Sequence, residues 1–254
     1  MVSITKEAPV TNQEMLHIAM AQSGEDLGCR PEDFLAEGPM LRPFRMGAGA
    51  RKYLKPAMSG CLVSYSQGLV AAVEEEIADI LEGFITEEPY YHLLETPALC
   101  RLDEQLKERG HGVSYMSQYF LPVEDRIPSP VCAYEKRLLG PADFSDLYSP
   151  AWSNALCEKR KELDVLGVGA YDHGKLIGLA ACSADCEKMW QIGVDVLPAY
   201  RRQGVASALT AALTREIMQR EKVPFYGCAW ANLPSVRNAI RSGFRPAWVE
   251  VSII

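Results

Sequence analysis

The stretch VLPAYRRQGVASALTAAL, residues 196–213, decides how the rest of the chain is read. Val205, Leu209, Leu213 and Ile217 recur every four residues, which predicts a helix that packs this face on a sheet and turns Thr210, Thr214 and Arg215 outward. Just upstream, Gln191, Gly193 and Asp195 alternate with Trp190, Ile192, Val194 and Val196, the period of a strand. The helix therefore starts at Gln203-Gly204, behind a short turn carrying Arg201 and Arg202. A helix N-terminus offers amides without intrahelical acceptors and the positive end of the macrodipole, so it attracts anions. Gly204 and Ala206 keep that turn free of bulk, and the two arginines add charge at its rim.

The turn matches neither a Gly-Lys-Ser/Thr triphosphate loop nor a GxGxxG dinucleotide loop. A strand, an Arg-x-x-Gly-x-Ala turn and a helix suit a pyrophosphate whose remaining length lies along the strand. Working outward, residues 131–139 read as a strand, residues 141–148 and 151–162 as helices, and residues 165–182 as two strands around Asp172-His173-Gly174-Lys175. Residues 189–197 give a third strand. After the helix come a strand at 224–231, a helix at 234–242 and a last strand at 245–254. The fold class is α/β with a mixed sheet flanked by helices.

These residues resemble the GNAT superfamily of acetyl-CoA-dependent N-acetyltransferases. Its turn pattern, Gln/Arg-x-x-Gly-x-Gly/Ala, is matched by Arg201, Gly204 and Ala206, and a second landmark by Asn232, Ser235 and Gly243-Phe244. The resemblance covers roughly residues 131–254, and WQIGVDVLP behind an N-terminal extension is similar to a bacterial group that includes an antibiotic-resistance acetyltransferase. It implies acetyl-CoA as co-substrate, with pyrophosphate on the amides of Arg202, Gln203, Gly204, Val205, Ala206 and Ser207, and pantetheine beside Val196 and Leu197. Asn232 and Ser235 are further cofactor candidates, although Asn232 also reads as the N-cap of the last helix and Gly243 as its stop. Gly193 is a candidate for the break that parts the strand from its neighbour, or a simple packing glycine.

Transfer to an alkylamine needs a base, and Asp195 is the nearest carboxylate on the strand, with a structural hydrogen-bonding role as the alternative. Many members protonate the thiolate with a tyrosine seven residues after the asparagine; here that position is Ala239. Tyr226 and Cys228 on the preceding strand are the nearer candidates. The expected acceptor is a primary amine of a small molecule. A peptide N-terminus as acceptor and a non-catalytic CoA-binding sensor are the alternatives.

Composition narrows the partners. The chain has 254 residues, 48 % apolar and 23 % charged, with a net charge of −7 and no basic cluster, which argues against nucleic acid. No window is apolar enough for a membrane span, and MVSITKEAPVTNQEM lacks the apolar core of a secretory signal, so a cytoplasmic monomer or homodimer is expected. The eight cysteines are scattered and read as free thiols, with no metal site. His17, His92, His111 and His173 stand singly and read as surface or capping residues.

The proline-rich stretch at 121–131 is the candidate boundary between a smaller α+β domain, residues 1–125, and the acetyltransferase-like domain, residues 131–254. The first half reads as a helix at 12–22, two strands around Gln67-Gly68, helices at 75–84 and 97–110, and a strand at 112–120. This order echoes the second half, so a degenerate copy of the same fold is one reading; a cover for the acceptor site is its expected role.

Overall fold

The computed structural model describes residues 10–54, 58–65, 67–130 and 132–254. The N-terminal residues weighed for a signal lie largely outside these, as do Ser66 in the first hairpin and Val131 at the expected boundary. The strands are β1 (Gly38–Pro43), β2 (Gly60–Ser64), β3 (Gly68–Val73), β4 (Val113–Pro122), β5 (Glu135–Leu139), β6 (Asp164–Asp172), β7 (Lys175–Ser183), β8 (Met189–Val196), β9 (Val223–Ala229) and β10 (Phe244–Ile253). The helices are α1 (Asn12–Leu27), α2 (Ala78–Phe84), α3 (Tyr90–Leu93), α4 (Thr96–Lys107), α5 (Val205–Met218) and α6 (Leu233–Arg241).

Local chemistry fixes most of these elements. Thr11 and Glu14 close a capping box at the start of α1. His173 and Gly174 take φ of 46° and 79°, so the β6–β7 hairpin turns on a left-handed pair whose twist matches the strands. Strands β5 to β8 run antiparallel. Strands β8 and β9 are parallel, and α5 supplies the crossover that a parallel pair requires.

Among the described residues the ten strands form one sheet in the order β1-β3-β2-β10-β4-β9-β8-β7-β6-β5. The expected boundary stretch does not interrupt it. β10 lies between β2 and β4, and β4 lies between β10 and β9, so strands from the two halves interleave. Residues just after β4 are also tied to α5, because Arg215 donates to the Ile127 carbonyl at 3.3 Å and to Ser129 Oγ at 2.8 Å.

Helices cover both faces. α5 and α6 bury Leu209, Leu213, Ile217 and Ala239 against Ile192, Phe120 and Tyr226. α2 and α4 continue that layer over Leu62, Leu69 and Val251. On the other face α1 packs over Tyr119, Phe225 and Trp248, and the segment at 144–156 packs over Leu179 and Ala181.

Four expectations are corrected. The segments at 141–148 and 151–162 are not α-helices; they form short 3₁₀ turns at Pro141–Asp143, Pro150–Trp152 and Glu158–Leu163. Their amides go to side chains instead: Gly140 to Asp143, and Cys157 to Asp164. β1 had no counterpart among the expected strands; it is the half-buried edge strand, a place that tolerates Gly38, Pro39 and Pro43. The helical segment at 75–84 opens as a 3₁₀ turn, Glu75–Ile77, before α2.

Thr210 and Thr214 do not face solvent but are fully buried, because α6 covers that side of α5. Thr210 Oγ1 accepts from Asn238 Nδ2 at 3.0 Å, and Thr214 Oγ1 donates to the Thr210 carbonyl at 2.8 Å. Thr210→Val keeps the shape but leaves the Asn238 amide without its acceptor. It is expected to cost about 1–3 kcal/mol, read from the shift of the urea midpoint at constant slope.

The eight cysteines are free thiols, three of them buried and Cys100 exposed. Among the described residues no helix is long and apolar enough to cross a membrane, and no group of three or more His, Cys, Asp or Glu could hold a metal ion.

Candidate active site

The basic turn follows β8 directly. Leu197 leads into a 3₁₀ turn at Pro198–Tyr200, Arg202 takes φ 62°, and Gly204 sits at the N-cap of α5 with φ 80°. A Cβ at Gly204 would meet nothing within 4 Å, so glycine is required by its left-handed backbone rather than by crowding. Gln203 is braced by the Tyr134 hydroxyl at 2.8 Å and donates to the Ala199 carbonyl at 3.1 Å. A cavity of about 460 Å³ opens over this turn, lined by Arg201, Arg202, Gly204 and Ser207 and, from α6, by Arg237 and Arg241. None of these four arginines forms a salt bridge among the described residues. Sequence reasoning missed Arg237 and Arg241; the i,i+4 spacing on the last helix was the available signal.

Next to the turn the sheet splits. β8 and β9 pair from Met189–Val223 to Ile192–Tyr226 and then part, β8 staying with β7 and β9 with β4. Leu197 N donates to the Ile177 carbonyl. Alternation in an antiparallel ladder then turns the backbone groups of Val194 and Val196 toward the gap and those of Gly193, Asp195 and Leu197 toward β7. The Val196 carbonyl already accepts from Arg201 Nε at 2.9 Å, which ties the turn to the open edge.

Gly193 marks where the strands part, but it makes no bulge: its pairing with Ala181 continues the β7–β8 register without a shift. Its reason is a close approach, since a Cβ there would lie 1.8 Å from the Asn154 carbonyl oxygen. Asp195, on the same face, holds the same loop. Its Oδ2 accepts from the amides of Asn154 at 2.8 Å and Ala155 at 3.0 Å, and its Oδ1 from Asn154 Nδ2 at 2.6 Å.

The gap is a cavity of about 410 Å³ lined by Gly193, Val194, Tyr226, Cys228, Asn232 and Ser235. Tyr226 is buried, which raises its pKa, and its hydroxyl interacts with Ser235 and Asn238 of α6. Burial also pushes the Cys228 thiol up. Asn232 is the N-cap of α6, its Oδ1 accepting from Ser235 N at 3.3 Å, and Gly243 ends the helical region with φ 90°. Ala239 is fully buried against the α5 layer.

The histidines stand apart from this gap. His92 pairs with Glu95, His111 with Ser59, and His173 is exposed at the hairpin tip.

A second cavity, about 270 Å³, adjoins the first and shares Tyr115, Gln191, Gly227 and Cys228 with it. Its other walls come from the first half and from β10: Tyr53, Met58, Tyr119 and Glu250. Gly227 makes room for the Tyr119 ring, which would lie 2.8 Å from a Cβ there.

Behind the second cavity lies a buried cluster. Arg51 donates through its side chain to Asp26, to the Tyr53 hydroxyl and, at 2.6 Å, to Glu250 Oε1. Burial would lower the Arg51 pKa, but Asp26 and Glu250 outweigh that and hold it above its ordinary value. No local motif announced this cluster, whose two carboxylates are 25 and 199 residues from Arg51.

Residues 141–247 match the profile of the GNAT acetyltransferase family. No curated protein matches the chain. Solved structures are similar to it, among them the following three. The GNAT-family structure from Novosphingobium aromaticivorans is 18 % identical over 57 % of this chain and 66 % of its own, with TM-score 0.46. The GCN5-related N-acetyltransferase-like protein from Streptococcus suis is 18 % identical over 61 % and 67 %, with TM-score 0.45. The GCN5-related N-acetyltransferase from Kribbella flavida is 17 % identical over 62 % and 63 %, with TM-score 0.46. The chain thus spans about two thirds of the length of these structures. The matched residues 141–247 hold the basic turn, the parting strands and Asn232, so the similarity to the GNAT acetyltransferase family lies in the part of the chain that builds this site.

Proposed function

We propose that the chain transfers the acetyl group of acetyl-CoA to a primary amine of a small molecule. The observation that carries this is the parting of β8 from β9 beside a glycine-led turn ringed by Arg201, Arg202, Arg237 and Arg241. In this reading the pyrophosphate rests on the amides from Arg202 to Ser207, where dipole and arginines favour negative charge. Pantetheine runs along the open edge of β8 and pairs with the backbone groups of Val194 and the amide of Val196, the Val196 carbonyl being held by Arg201. Asn232 and Ser235 border its path.

The thioester then lies by Tyr226, which we assign as the proton source for the leaving thiolate. Residues 131–254 carry the transfer, and residues 1–125 shape the acceptor side. The reaction is direct: the amine attacks the thioester carbon, and the thiolate leaves with a proton.

Asp195 is a positioning residue in this reading, since three donors already occupy its carboxylate. Asp195→Asn should lose part of that set and cost about 1–3 kcal/mol of stability. The loosened 154–155 loop should raise KM for the amine more than it lowers kcat. A general base would instead lose about 10²–10⁴ in kcat with the unfolding midpoint unchanged.

Two measurements on the native protein test the proposal. Calorimetry should show acetyl-CoA binding, and thiol release should follow when small amines are added. Binding without release for any amine, peptides included, would favour a CoA sensor; release with peptides alone would move the acceptor to a polypeptide N-terminus.

A further inference from the structure

We infer that the cavity between Tyr53, Tyr119 and Glu250 seats the acceptor, and that Glu250 binds a second cationic group on it, remote from the reacting amine. This rests on the acetyltransferase reading and names its substrate class: a small diamine or an amine-bearing cation with an apolar body.

Position comes first. The cavity adjoins the strand gap at Tyr115, Gln191, Gly227 and Cys228, which line both, so an acceptor seated in it lies beside the gap. Glu250 pairs laterally with Ser117, and Ser117 with Ala229, which puts Glu250 two strands from β9. At the usual strand spacing that is about 10 Å. A general base must reach its proton within about 3 Å, so Glu250 is too far from the gap to deprotonate the attacking amine there. It is placed to recognise the far end.

Charge comes second. Glu250 Oε1 accepts from Arg51 at 2.6 Å and from Trp248 Nε1 at 2.7 Å, while Oε2 has no donor among the described residues and is not sealed from solvent. Arg51 is shared between Glu250 and Asp26, so these three groups sum to one negative charge. Arg160, beside the Tyr53 ring, is matched by Asp185. A monocation on Oε2 completes the balance. The remaining walls, Tyr53, Tyr115, Tyr119 and Met58, offer aromatic and apolar surface for the body that links the two ends.

The test compares diaminooctane with octylamine as acceptors for acetyl-CoA, following thiol release, in native protein, Glu250→Gln and Ser252→Lys. Ser252 lies two residues along β10 and lines the same cavity, so its lysine can occupy Glu250 without disturbing Arg51 or Asp26. Native protein should have the lower KM for the diamine. Both variants should raise that KM roughly ten- to a hundred-fold, the range of a charge-assisted bond. The octylamine KM should change far less than the diamine KM, so that the native preference for the diamine is lost, and acetyl-CoA affinity should stay as in the native protein.

Equal KM values for the two amines in native protein, a preference kept in both variants, or an equal loss for both amines would overturn the inference. Should Glu250→Gln fail to fold, Ser252→Lys decides. Should neither amine turn over, calorimetry of diaminooctane with CoA present decides: binding lost in the variants supports the inference, and no binding to native protein overturns it. Failure of acetyl-CoA itself to bind is separate, and overturns the acetyltransferase reading beneath it.

Discussion

Arg51→Met is expected to lower folding stability by about 3–5 kcal/mol, the cost of stranding buried carboxylates. Asp26 and Glu250 are 1 % and 7 % exposed, and each has Arg51 as its cationic partner. Methionine fills most of the volume, so lost packing contributes little. What remains is Asp26 held by Gln22 at 3.0 Å and by the backbone amide of residue 51 at 2.8 Å, and Glu250 held by Trp248 at 2.7 Å, two like charges without a counter-ion. Urea unfolding reads the loss. Adding Glu250→Gln should recover part of it, a coupling that two independent sites would not show. A midpoint within a few tenths of the native value would mean that water reaches the cluster and the ion pairs contribute little.

Gly204→Glu should weaken acetyl-CoA binding at least about a hundred-fold, equivalent to ~2.7 kcal/mol. Two effects combine. The φ of 80° disfavours any side chain, at roughly 1–2 kcal/mol, and the new carboxylate stands where negative charge is to be bound. Gly204→Ala separates them, because it carries the strain without the charge. Space does not intervene, since a Cβ at Gly204 meets nothing within 4 Å. Alanine should therefore keep most of the affinity and glutamate lose it. If both bind acetyl-CoA like the native protein, the turn is not the phosphate seat; if both lose it equally, backbone geometry rather than charge is decisive.

The basic turn and its helix were legible in sequence because local rules determine them: a four-residue apolar period, a glycine at the N-cap and arginines ahead of it. The hairpin at His173-Gly174 and the cap at Asn232 were legible for the same reason. What escaped were features set by distant partners. Thr210 and Thr214 look like a solvent face until α6 is laid over them. The 141–163 segment has helix-like spacing, but Asp164 and Asp195, outside the turns they hold, bind its amides. Arg51 and Glu250 carried no signal at all, because a single charged residue in a loop or on a strand is ordinarily solvated. The cavity between Tyr53, Tyr119 and Glu250 is therefore the part that only the assembled sheet brings together.

The interleaving of β4 and β10 also constrains how the chain can come to fold. β10 fills a slot between strands whose residues were synthesised more than a hundred positions earlier. Until residues 244–253 leave the ribosome, β2 and β4 both hold an unpaired edge with apolar neighbours on either side. Such edges invite pairing with other chains. Nascent protein should accordingly depend on chaperones until its last strand is made, and substitutions that weaken β10 should show first as lost soluble yield rather than as lost activity.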